Sequence, residues 1–455
     1  MVVRLTVLFL VLGFVLRAAA DLQVEVRAFG PGEVALEGGP YGAAFDRAQK
    51  RVGTVDAAPL LAAFREAARL PVKARRLGNA AERDPKTVGR ALGHYLSALG
   101  ALYAVTKDED VKDRIWYVVE ELYGCSLNNR CMLPVPAETA FDGASFHLQP
   151  QTAFAVLAGL HDAFRATGNR RAFDLLVRWV DWYQDCWTKM QEPAQKQWLD
   201  GDWGGLNRAY LYVYNEFGRE NYLHDGWNTF NQVPYFDELR KGKHDFSAEP
   251  PRALAAKLSG LYMRHRRSRW NEVHTVCSAY LEHAMKTRGY AADDPDATVD
   301  LVWMAARLSE EGADGRLGDF IESRTKALFE AAHGPAAVDI TDVFALKARE
   351  NLFATSPRTL WVNQYATSRV SWEAKGVVLS VKAADGRPGK ATLSFEVKDP
   401  GTAFCLRLRN RNGRSPTVSV NGKAPDVRAD PDGYTPIART WKTGDTVDIT
   451  FPSVL

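Results

Sequence analysis

The chain has 455 residues, of which 46% are hydrophobic and 25% are charged, enough for a large core and a second domain. Its formal net charge of +3 points to no nucleic acid or other charged partner. The sequence has no GxSxG, glycine-rich phosphate loop, CxxC or HExxH, which excludes the local motifs of serine hydrolases, nucleotide-binding proteins and common zinc sites.

Residues 1–20 have the three-part pattern of a secretory signal. Arg4 precedes an apolar run from Leu5 to Val15, and three alanines stand directly before Asp21. We therefore predict a signal peptide over residues 1–20 and a secreted or periplasmic protein, with an uncleaved membrane anchor as the alternative. No later stretch approaches the length of a spanning helix, so no stable membrane span is expected.

Between residues 41 and 355 one pattern recurs: an aromatic-rich apolar helix, a short polar turn and a second amphipathic helix. Each helix has an apolar stripe that a single hairpin cannot cover, so neighbouring hairpins must cover it. The turns of the five copies are centred near Lys107, Gly168, Gly218, Arg267 and Ala313.

The ends of this helical region supply a further pair of segments. Pro59 to Leu70 is apolar, and a less regular segment follows His333. Together with the hairpins they give roughly six helix pairs, the number that closes an α/α toroid. A closed ring also leaves no terminal repeat exposed. The sequence thus predicts a mostly α fold with an (α/α)6 toroid over residues 41–355.

Past Asn351 the hydrophobic period changes from that of a helix to two. Segments such as LWVNQYA, GVVLSVKA and KATLSFEV alternate apolar and polar residues, with turn signals at Asp385-Gly386, Asn421-Gly422 and Asp432-Gly433. This predicts an antiparallel β-sandwich domain over residues 356–455. Residues 21–40 are predicted to add a strand to that domain and so to tie the N-terminus to it.

In a ring of helical hairpins, the longer segments that join successive hairpins lie on one rim. Here those segments are rich in carboxylates, imidazoles and amides. This composition suits a sugar, because sugar hydroxyls need paired donors and acceptors and a sugar's apolar face stacks on an aromatic ring. The candidate substrate-binding residues are His94, His147, Trp203, Asn207, His244 and Glu249.

Carboxylates around one cleft also match glycoside hydrolysis, which needs an acid on one side of the bond and a base or nucleophile on the other. Asp200 and Asp202 in WLDGDWGGLN are the candidate catalytic residues, because the neighbouring glycines let the backbone approach a ligand closely. Helix capping or solvation is the alternative for each aspartate on this rim.

The five cysteines indicate no disulfide framework. Cys125 and Cys131 are close enough in sequence for a small disulfide loop, and free thiols are the equal alternative. Cys186, Cys277 and Cys405 lie in apolar helix or strand patterns, where a buried thiol is expected.

The segments GHYLSALGALYAVTKD, AGLHDAFRATGN, DWGGLNRAYLYVY, LWVNQYATS and GYTPIARTWKTGDTVDITFP follow one another along the chain. In this order they resemble the beta-L-arabinofuranosidase family, glycoside hydrolase family 127, from about Glu37 to the C-terminus. The resemblance implies an α/α toroid followed by β-sandwich modules. It also implies a zinc ion held by three cysteines and a glutamate, with one cysteine as nucleophile and another glutamate as general acid or base.

The zinc ligands that the resemblance implies have no counterpart in this sequence. When Met304 is aligned with the family's helix, Ala297 and Val299 occupy the positions of its Glu-x-Cys motif, and no adjacent cysteine pair precedes Leu360. We therefore predict a divergent member without a metal site and without a cofactor.

Other polar positions match the family only in part. Phe154 stands in place of a sugar-contacting histidine, and Arg208 in place of the glutamate of a GGMNE motif. His94 and Asn207 do match, although a retained histidine is equally consistent with a core residue.

Three functions are consistent with these observations. The chain is a glycosidase with a carboxylate mechanism, a catalytically inactive homologue that binds a glycan, or a structural exported protein with a vestigial cleft. An oligosaccharide is the expected partner in the first two. The basic cluster from Arg264 to Arg269 falls at a repeat turn, so it is interpreted as a solvated face and no nucleic acid is expected.

Overall fold

The computed structural model describes residues 26–84, 86–230, 241, 245–247, 249–268, 271–287, 289–312, 314–331, 337–384 and 389–452. The predicted signal peptide, His244 and the turn at Asp385-Gly386 lie outside these residues. Within them, no helix combines the length and the apolar character that crossing a bilayer requires.

The described chain is mostly helical from Gly39 to Lys347. The described helices, numbered in chain order, are α1 (Gly39–Thr54), α2 (Ala57–Ala67), α3 (Ala80–Arg83), α4 (Arg90–Thr106), α5 (Glu109–Asn128), α6 (Ala137–Ala140), α7 (Pro150–Thr167), α8 (Arg170–Trp187), α9 (Glu192–Asp200), α10 (Asn207–Phe217), α11 (Glu220–Phe230), α12 (Pro251–Ser268), α13 (Asn271–Lys286), α14 (Pro295–Gly312), α15 (Gly315–Glu330) and α16 (Ile340–Lys347).

Six of these helices, α4, α7, α10, α12, α14 and α16, form the inner wall of a ring. Each contacts the next in this order, and α16 contacts α4, which closes the ring. The first five are each followed and covered by an outer helix, namely α5, α8, α11, α13 and α15, while α1 covers α16. The predicted (α/α)6 toroid and the five predicted hairpins are therefore confirmed.

Local signals in the turns explain where the first two hairpins reverse. Lys107 and Gly168 have positive φ values of 54° and 72° and end α4 and α7 in the left-handed conformation. Directly afterwards, the Asp108 side chain accepts a hydrogen bond from the backbone N–H of Asp110, and Asn169 caps α8 in the same way. Because one helix ends at a left-handed residue and the next helix is capped by the residue that follows it, the turn between them is short.

Glycines bring the inner helices α4 and α7 into close backbone contact. A Cβ atom on Gly93 would lie 2.3 Å from the backbone of Ala155, and one on Gly159 would lie 2.6 Å from the carbonyl oxygen of Gly93. Gly100 packs in the same way against Asp162. This α4–α7 contact places a polar side chain of each helix, His94 of α4 and Asp162 of α7, inside the ring.

The C-terminal part of the chain forms two facing sheets. The strands are β1 (Arg27–Ala28), β2 (Val34–Leu36), β3 (Phe353–Ser356), β4 (Thr359–Val362), β5 (Ser368–Trp372), β6 (Val377–Ala383), β7 (Lys390–Val397), β8 (Ala403–Arg409), β9 (Thr417–Val420), β10 (Tyr434–Thr440) and β11 (Thr446–Thr450). Their orders are β1-β3-β4-β8-β10 and β2-β5-β6-β7-β11-β9.

The two sheets enclose an apolar core in which the stacked rings of Phe395 and Trp441 lie 4.2 Å apart. Strand pairs are antiparallel except for the parallel pair β4–β8. The segment before the toroid supplies one short strand to each sheet, β1 to the first and β2 to the second.

Candidate active site

A cavity of about 320 Å³, the cleft, lies inside the ring. All six inner helices contribute side chains to it, as do the residues directly after α16. The first turns of the inner helices supply one end, the N-terminal rim; the last turns of α7, α14 and α16 supply the other, the deep end. The cleft lining includes Arg90, Arg252 and Asp296 at the N-terminal rim, His94, Phe154, Arg208, Tyr212, Val299, Asp300 and Trp303 between the ends, and His161, Asp162, Arg307, Lys347 and Glu350 toward the deep end.

At the N-terminal rim, Asp296 joins three inner helices through ion pairs with Arg90 and Arg252. Arg252 also pairs with Asp294, with 3.0 Å between its Nε atom and a carboxylate oxygen. Burial opposes the charge on Asp296, but the nearby Arg90, His94 and Arg252 outweigh it and lower the pKa of this carboxyl. Asp296 is therefore an ionised anchor for the rim.

Between the two ends, the cleft contains a buried ion pair above an aromatic ring. Arg208 donates two hydrogen bonds to the Asp300 carboxylate, at 2.7 and 3.1 Å, and its guanidinium carbon lies 4.0 Å from the Phe154 ring centroid. Burial raises the pKa of Asp300, although Arg208 opposes this. Because both Asp300 oxygens accept from one arginine, this carboxylate is fixed in place.

Toward the deep end, the Lys347 ammonium lies 2.6 Å from an oxygen of Asp162. Glu350 follows one turn after Lys347, and burial raises the pKa of its carboxyl. On the neighbouring inner helix α14, Trp303 presents a partly buried ring between the two ends of the cleft. The deep end thus has two carboxyl groups of different character, and an aromatic surface lies between the two ends.

The cations that face the cleft are compensated by carboxylates. Among the described residues, each cleft arginine and lysine has a carboxylate partner: Arg90 and Arg252 pair with Asp296, Arg208 with Asp300, Arg307 with Glu310, and Lys347 with Asp162. The aromatic rings supply the apolar surface between them. A pocket with aromatic faces, hydrogen-bonding groups and no uncompensated cation suits a neutral polar ligand such as a saccharide.

Two of the residues predicted from the sequence belong to the cleft or support it. His94 lines it, and burial lowers the pKa of this imidazole to about 4, so that the ring is neutral near pH 7. Asp202 lies directly behind the wall: one oxygen accepts a hydrogen bond from the Gln151 side chain and the other from the backbone N–H of Gly204, at 2.9 Å. Gln151 and Gly204 line the cleft themselves.

Two other predicted residues lie in the core. Trp203 is fully buried, and its indole N–H donates to the carbonyl oxygen of Leu199 at 3.2 Å, so its ring presents no free face to a ligand. Asn207 is buried against Gly260, and its side-chain amide donates to the carbonyl oxygen of Lys257 at 3.2 Å. Trp203 is bonded to α9 and Asn207 to α12, because the glycine-rich segment between α9 and α10 runs toward the interior of the protein.

The remaining predicted residues lie outside the cleft lining. Asp200 is exposed at the end of α9, and His147 is exposed and bonded to Asp142 at 2.8 Å. Glu249 pairs with the buried Lys257 at 3.2 Å. His244 is outside the described residues. The structure therefore does not bring Asp200 together with Asp202 in one site.

Sequence reasoning missed cleft residues that lie on the inner helices themselves. Asp162 and Asp300 interrupt apolar stretches, AGLHDAF and ATVDLVW, and Glu350 follows the last inner helix. A charged side chain within the apolar first helix of a hairpin was the available signal, because only a cavity or an ion pair makes burial of such a group tolerable.

The cysteines do not fit a thiolate-bound zinc ion. All five are free thiols, and none lines the cleft; they are Cys125, Cys131, Cys186, Cys277 and Cys405. Burial raises the pKa of Cys125 to about 11 and of Cys131 to about 12, which disfavours the thiolate that metal binding requires. Val299, at one of the implied ligand positions, does line the cleft. Within the described residues, no three His, Cys, Asp or Glu side chains are grouped to hold a metal ion.

Comparison with protein families gives two matches. The model of the GH127 beta-L-arabinofuranosidase catalytic domain matches residues 33–242, and the model of the GH127 middle domain matches residues 359–453. No curated protein matches the chain.

Solved structures show the same architecture. A GH127 beta-L-arabinofuranosidase from Geobacillus stearothermophilus T6 is similar with a TM-score of 0.70 and 16% identity, over 92% of this chain and 81% of the other. A second GH127 beta-arabinofuranosidase gives 0.68 and 15%, over 95% and 81%. A structure described as a glycoside hydrolase gives 0.63 and 13%, over 95% and 79%. At these identities the likeness establishes the fold.

Proposed function

Because the chain belongs to the beta-L-arabinofuranosidase family, glycoside hydrolase family 127, we propose that it is a glycoside hydrolase that binds a neutral arabinofuranoside in its cleft. The observation that carries this proposal is the cleft itself, a cavity of about 320 Å³ enclosed by all six inner helices and lined by aromatic rings and paired charges. A saccharide needs this combination, since its hydroxyl groups require hydrogen-bonding partners while its ring face requires an apolar surface.

Binding is tested by removing the aromatic surface of the cleft. We expect Trp303→Ala to weaken the binding of an arabinofuranosyl oligosaccharide by about tenfold, because the stacking surface is lost. Isothermal titration calorimetry measures this change. Trp116→Ala is the matched control, since Trp116 is a 43% exposed tryptophan on the outer helix α5 and should leave the affinity unchanged. Equal affinities for the wild type and Trp303→Ala would contradict binding against this wall.

We also propose that hydrolysis proceeds without the zinc and cysteine chemistry of the family, because no cysteine lines the cleft. The expected result is that purified protein hydrolyses an aryl arabinofuranoside at the same rate with and without EDTA. Turnover that is lost with chelator and restored by zinc would contradict this proposal.

A catalytically inactive homologue that binds glycan is the second candidate. The observation that favours it is the replacement of the implied ligands by Ala297 and Val299 together with the fixed geometry of Asp300. Binding without turnover on any arabinofuranoside would support this candidate. A protein that neither binds nor hydrolyses these sugars would instead have a structural role.

We also propose export through residues 1–20, because this segment has the charged start, apolar run and small residues of a secretory signal. N-terminal sequencing of the protein recovered from the periplasm or the medium is expected to start near Asp21. An N-terminus at Met1 would contradict cleavage.

A further inference from the structure

Glu350 is placed differently from the other carboxylates of the cleft. It lines the deep end of the cleft, one turn after α16, and also borders a small cavity between the toroid and the sandwich. Within the described residues, no hydrogen bond or ion pair engages its carboxyl group. A carboxyl group that faces a cavity without a protein partner is available to a ligand.

The three aspartates of the cleft are each held by a cation. Asp296 bridges Arg90 and Arg252, both oxygens of Asp300 accept from Arg208, and Asp162 accepts from Lys347. A cation bonded to a carboxylate favours the charged form of that group, so a proton is held less readily there. Glu350 is therefore the cleft carboxyl group best suited to carry one.

Asp162 is suited to the complementary role. Lys347 binds one of its oxygens, Oδ2, while Oδ1 makes no hydrogen bond within the described residues. Lys347 lies one turn before Glu350, and the charge of Asp162 acts on the Glu350 carboxyl. A lysine-bonded carboxylate and an unpaired carboxyl group thus flank the same lysine at one end of the cleft, and glycoside hydrolysis uses two carboxyl groups in different roles.

Resting on the proposed function, we propose that Glu350 is the general acid and Asp162 the general base of this cleft. Glu350 gives its proton to the glycosidic oxygen as the bond from that oxygen to the anomeric carbon breaks, and the bonding pair stays on the oxygen. Water adds to the anomeric carbon and gives a proton to Asp162. The products are the free sugar and the released alcohol, and solvent returns the proton from Asp162 to Glu350.

The surroundings of Glu350 support this assignment. Burial raises the pKa of its carboxyl above the ordinary value, and this effect exceeds the opposing influence of nearby cations. The charged groups that face it are Lys347, Arg307, Asp162 and Arg349, with Glu310 bordering the same small cavity. Because the acid must be protonated to act, kcat/KM should fall as pH rises through this raised pKa.

The test compares two arabinofuranosides that differ in leaving group. Glu350→Gln should lower kcat by about 100- to 10,000-fold on an alkyl arabinofuranoside, whose leaving alcohol needs a proton. It should lower the rate far less on a 2,4-dinitrophenyl arabinofuranoside, whose leaving group needs none. Asp162→Asn should lower both rates alike, and azide should restore them, because azide attacks without losing a proton. The exposed Glu373→Gln is the control with wild-type rates on both.

Each outcome decides one of the two proposals. The assignment is overturned if the wild type hydrolyses both substrates and Glu350→Gln either loses the same fraction of kcat on both or loses none. The proposed function still stands in that case. Wild-type protein that binds sugar without turnover overturns both the assignment and the hydrolase. Thermal melting checks that the variants fold. If Glu350→Gln does not fold, the wild-type pH profile still decides, since a rate that does not fall with rising pH contradicts a glutamic acid donor.

Discussion

His94 and His161 are two imidazoles that the protein keeps neutral inside its cleft. Burial lowers the pKa of each to about 4, and for His161 the ring of Tyr212 stacks upon it with 4.0 Å between centroids. A neutral imidazole can accept or donate one hydrogen bond with a sugar hydroxyl, whereas a charged one would be poorly solvated here. Both imidazoles are therefore neutral at any pH well above 4.

The same shifts predict how stability depends on pH. Between the ordinary histidine pKa of about 6.5 and the native value, the unfolded chain binds more protons than the native protein, so the free energy of unfolding falls as pH falls. The expected loss is up to about 1.4 kcal/mol per histidine for each pH unit in this window. Chemical denaturation at pH 7 and pH 5 measures it.

His161→Gln should weaken this dependence on pH, because glutamine does not titrate in the unfolded chain. The exposed His224→Gln serves as the control and should keep the wild-type dependence. A wild-type protein equally stable at both pH values, or a His161→Gln variant with an unchanged slope, would contradict the prediction.

At the scale of secondary structure, the α4–α7 contact determines the shape of the cleft wall. Gly93, Gly100 and Gly159 let the two backbones approach, and the carboxyl and imidazole groups on either side then reach the cavity. The segment GHYLSALG already contains two glycines, Gly93 and Gly100, that are seven residues apart and so lie on the same face of a helix. Only the structure identifies α7 as the partner that they contact.

Gly93→Ala tests this contact. Its added methyl group would lie 2.3 Å from the backbone of Ala155, so the helices must separate, and we expect a loss of about 1 to 3 kcal/mol in the free energy of unfolding. Gly124→Ala is the matched control on α5, where no atom lies within 4 Å of the added carbon. There alanine should stabilise the helix by up to about 1 kcal/mol. Urea denaturation measures the free energy of unfolding of both variants. Equal changes in Gly93→Ala and Gly124→Ala would contradict a steric role for the α4–α7 contact.

At the scale of the whole molecule, one arginine joins the sandwich to the toroid. Arg409 on β8 has no exposed side-chain surface and bonds to Asp319 and Glu322 of the outer helix α15. Gly318 allows this approach, since a Cβ atom there would lie 2.1 Å from the Arg409 side chain. The sandwich is thereby held against the helix that covers α14, the inner helix that contains Asp300 and Trp303.

Arg409→Met should destabilise the protein by about 1.5 to 3 kcal/mol, because Asp319 and Glu322 lose their hydrogen bonds to a buried cation. Asp319 still accepts from the backbone N–H of Asn412, and Glu322 still pairs with Arg411. Thermal denaturation measures the effect, and the exposed Arg358→Met is the control with an unchanged Tm. A melting temperature equal to that of the wild type would show that the two carboxylates are satisfied by solvent.

Much of the architecture followed from periodicity. A pair of amphipathic helices cannot bury its apolar faces alone, so five hairpins and a closing pair predict a ring. The change of the hydrophobic period to two residues predicts the sheets. The residues of the site did not follow in this way. Asp200, His147 and Trp203 lie in polar connecting segments, which is why the sequence predicts them as site residues, yet the first two are exposed and the third is buried in the core.

The sequence by itself determined the helical hairpins, their turns, the strands and the absence of cysteines from the positions that the family resemblance implies. Those features depend on neighbours within a few residues or on identity at a single position. Only the tertiary structure decided that Asp162, Asp300 and Glu350 face one cavity, because these residues come from three segments that are distant in the chain and meet when the ring closes. It also decided which carboxylates are paired with cations, since ion pairing depends on distances between helices that no local pattern encodes.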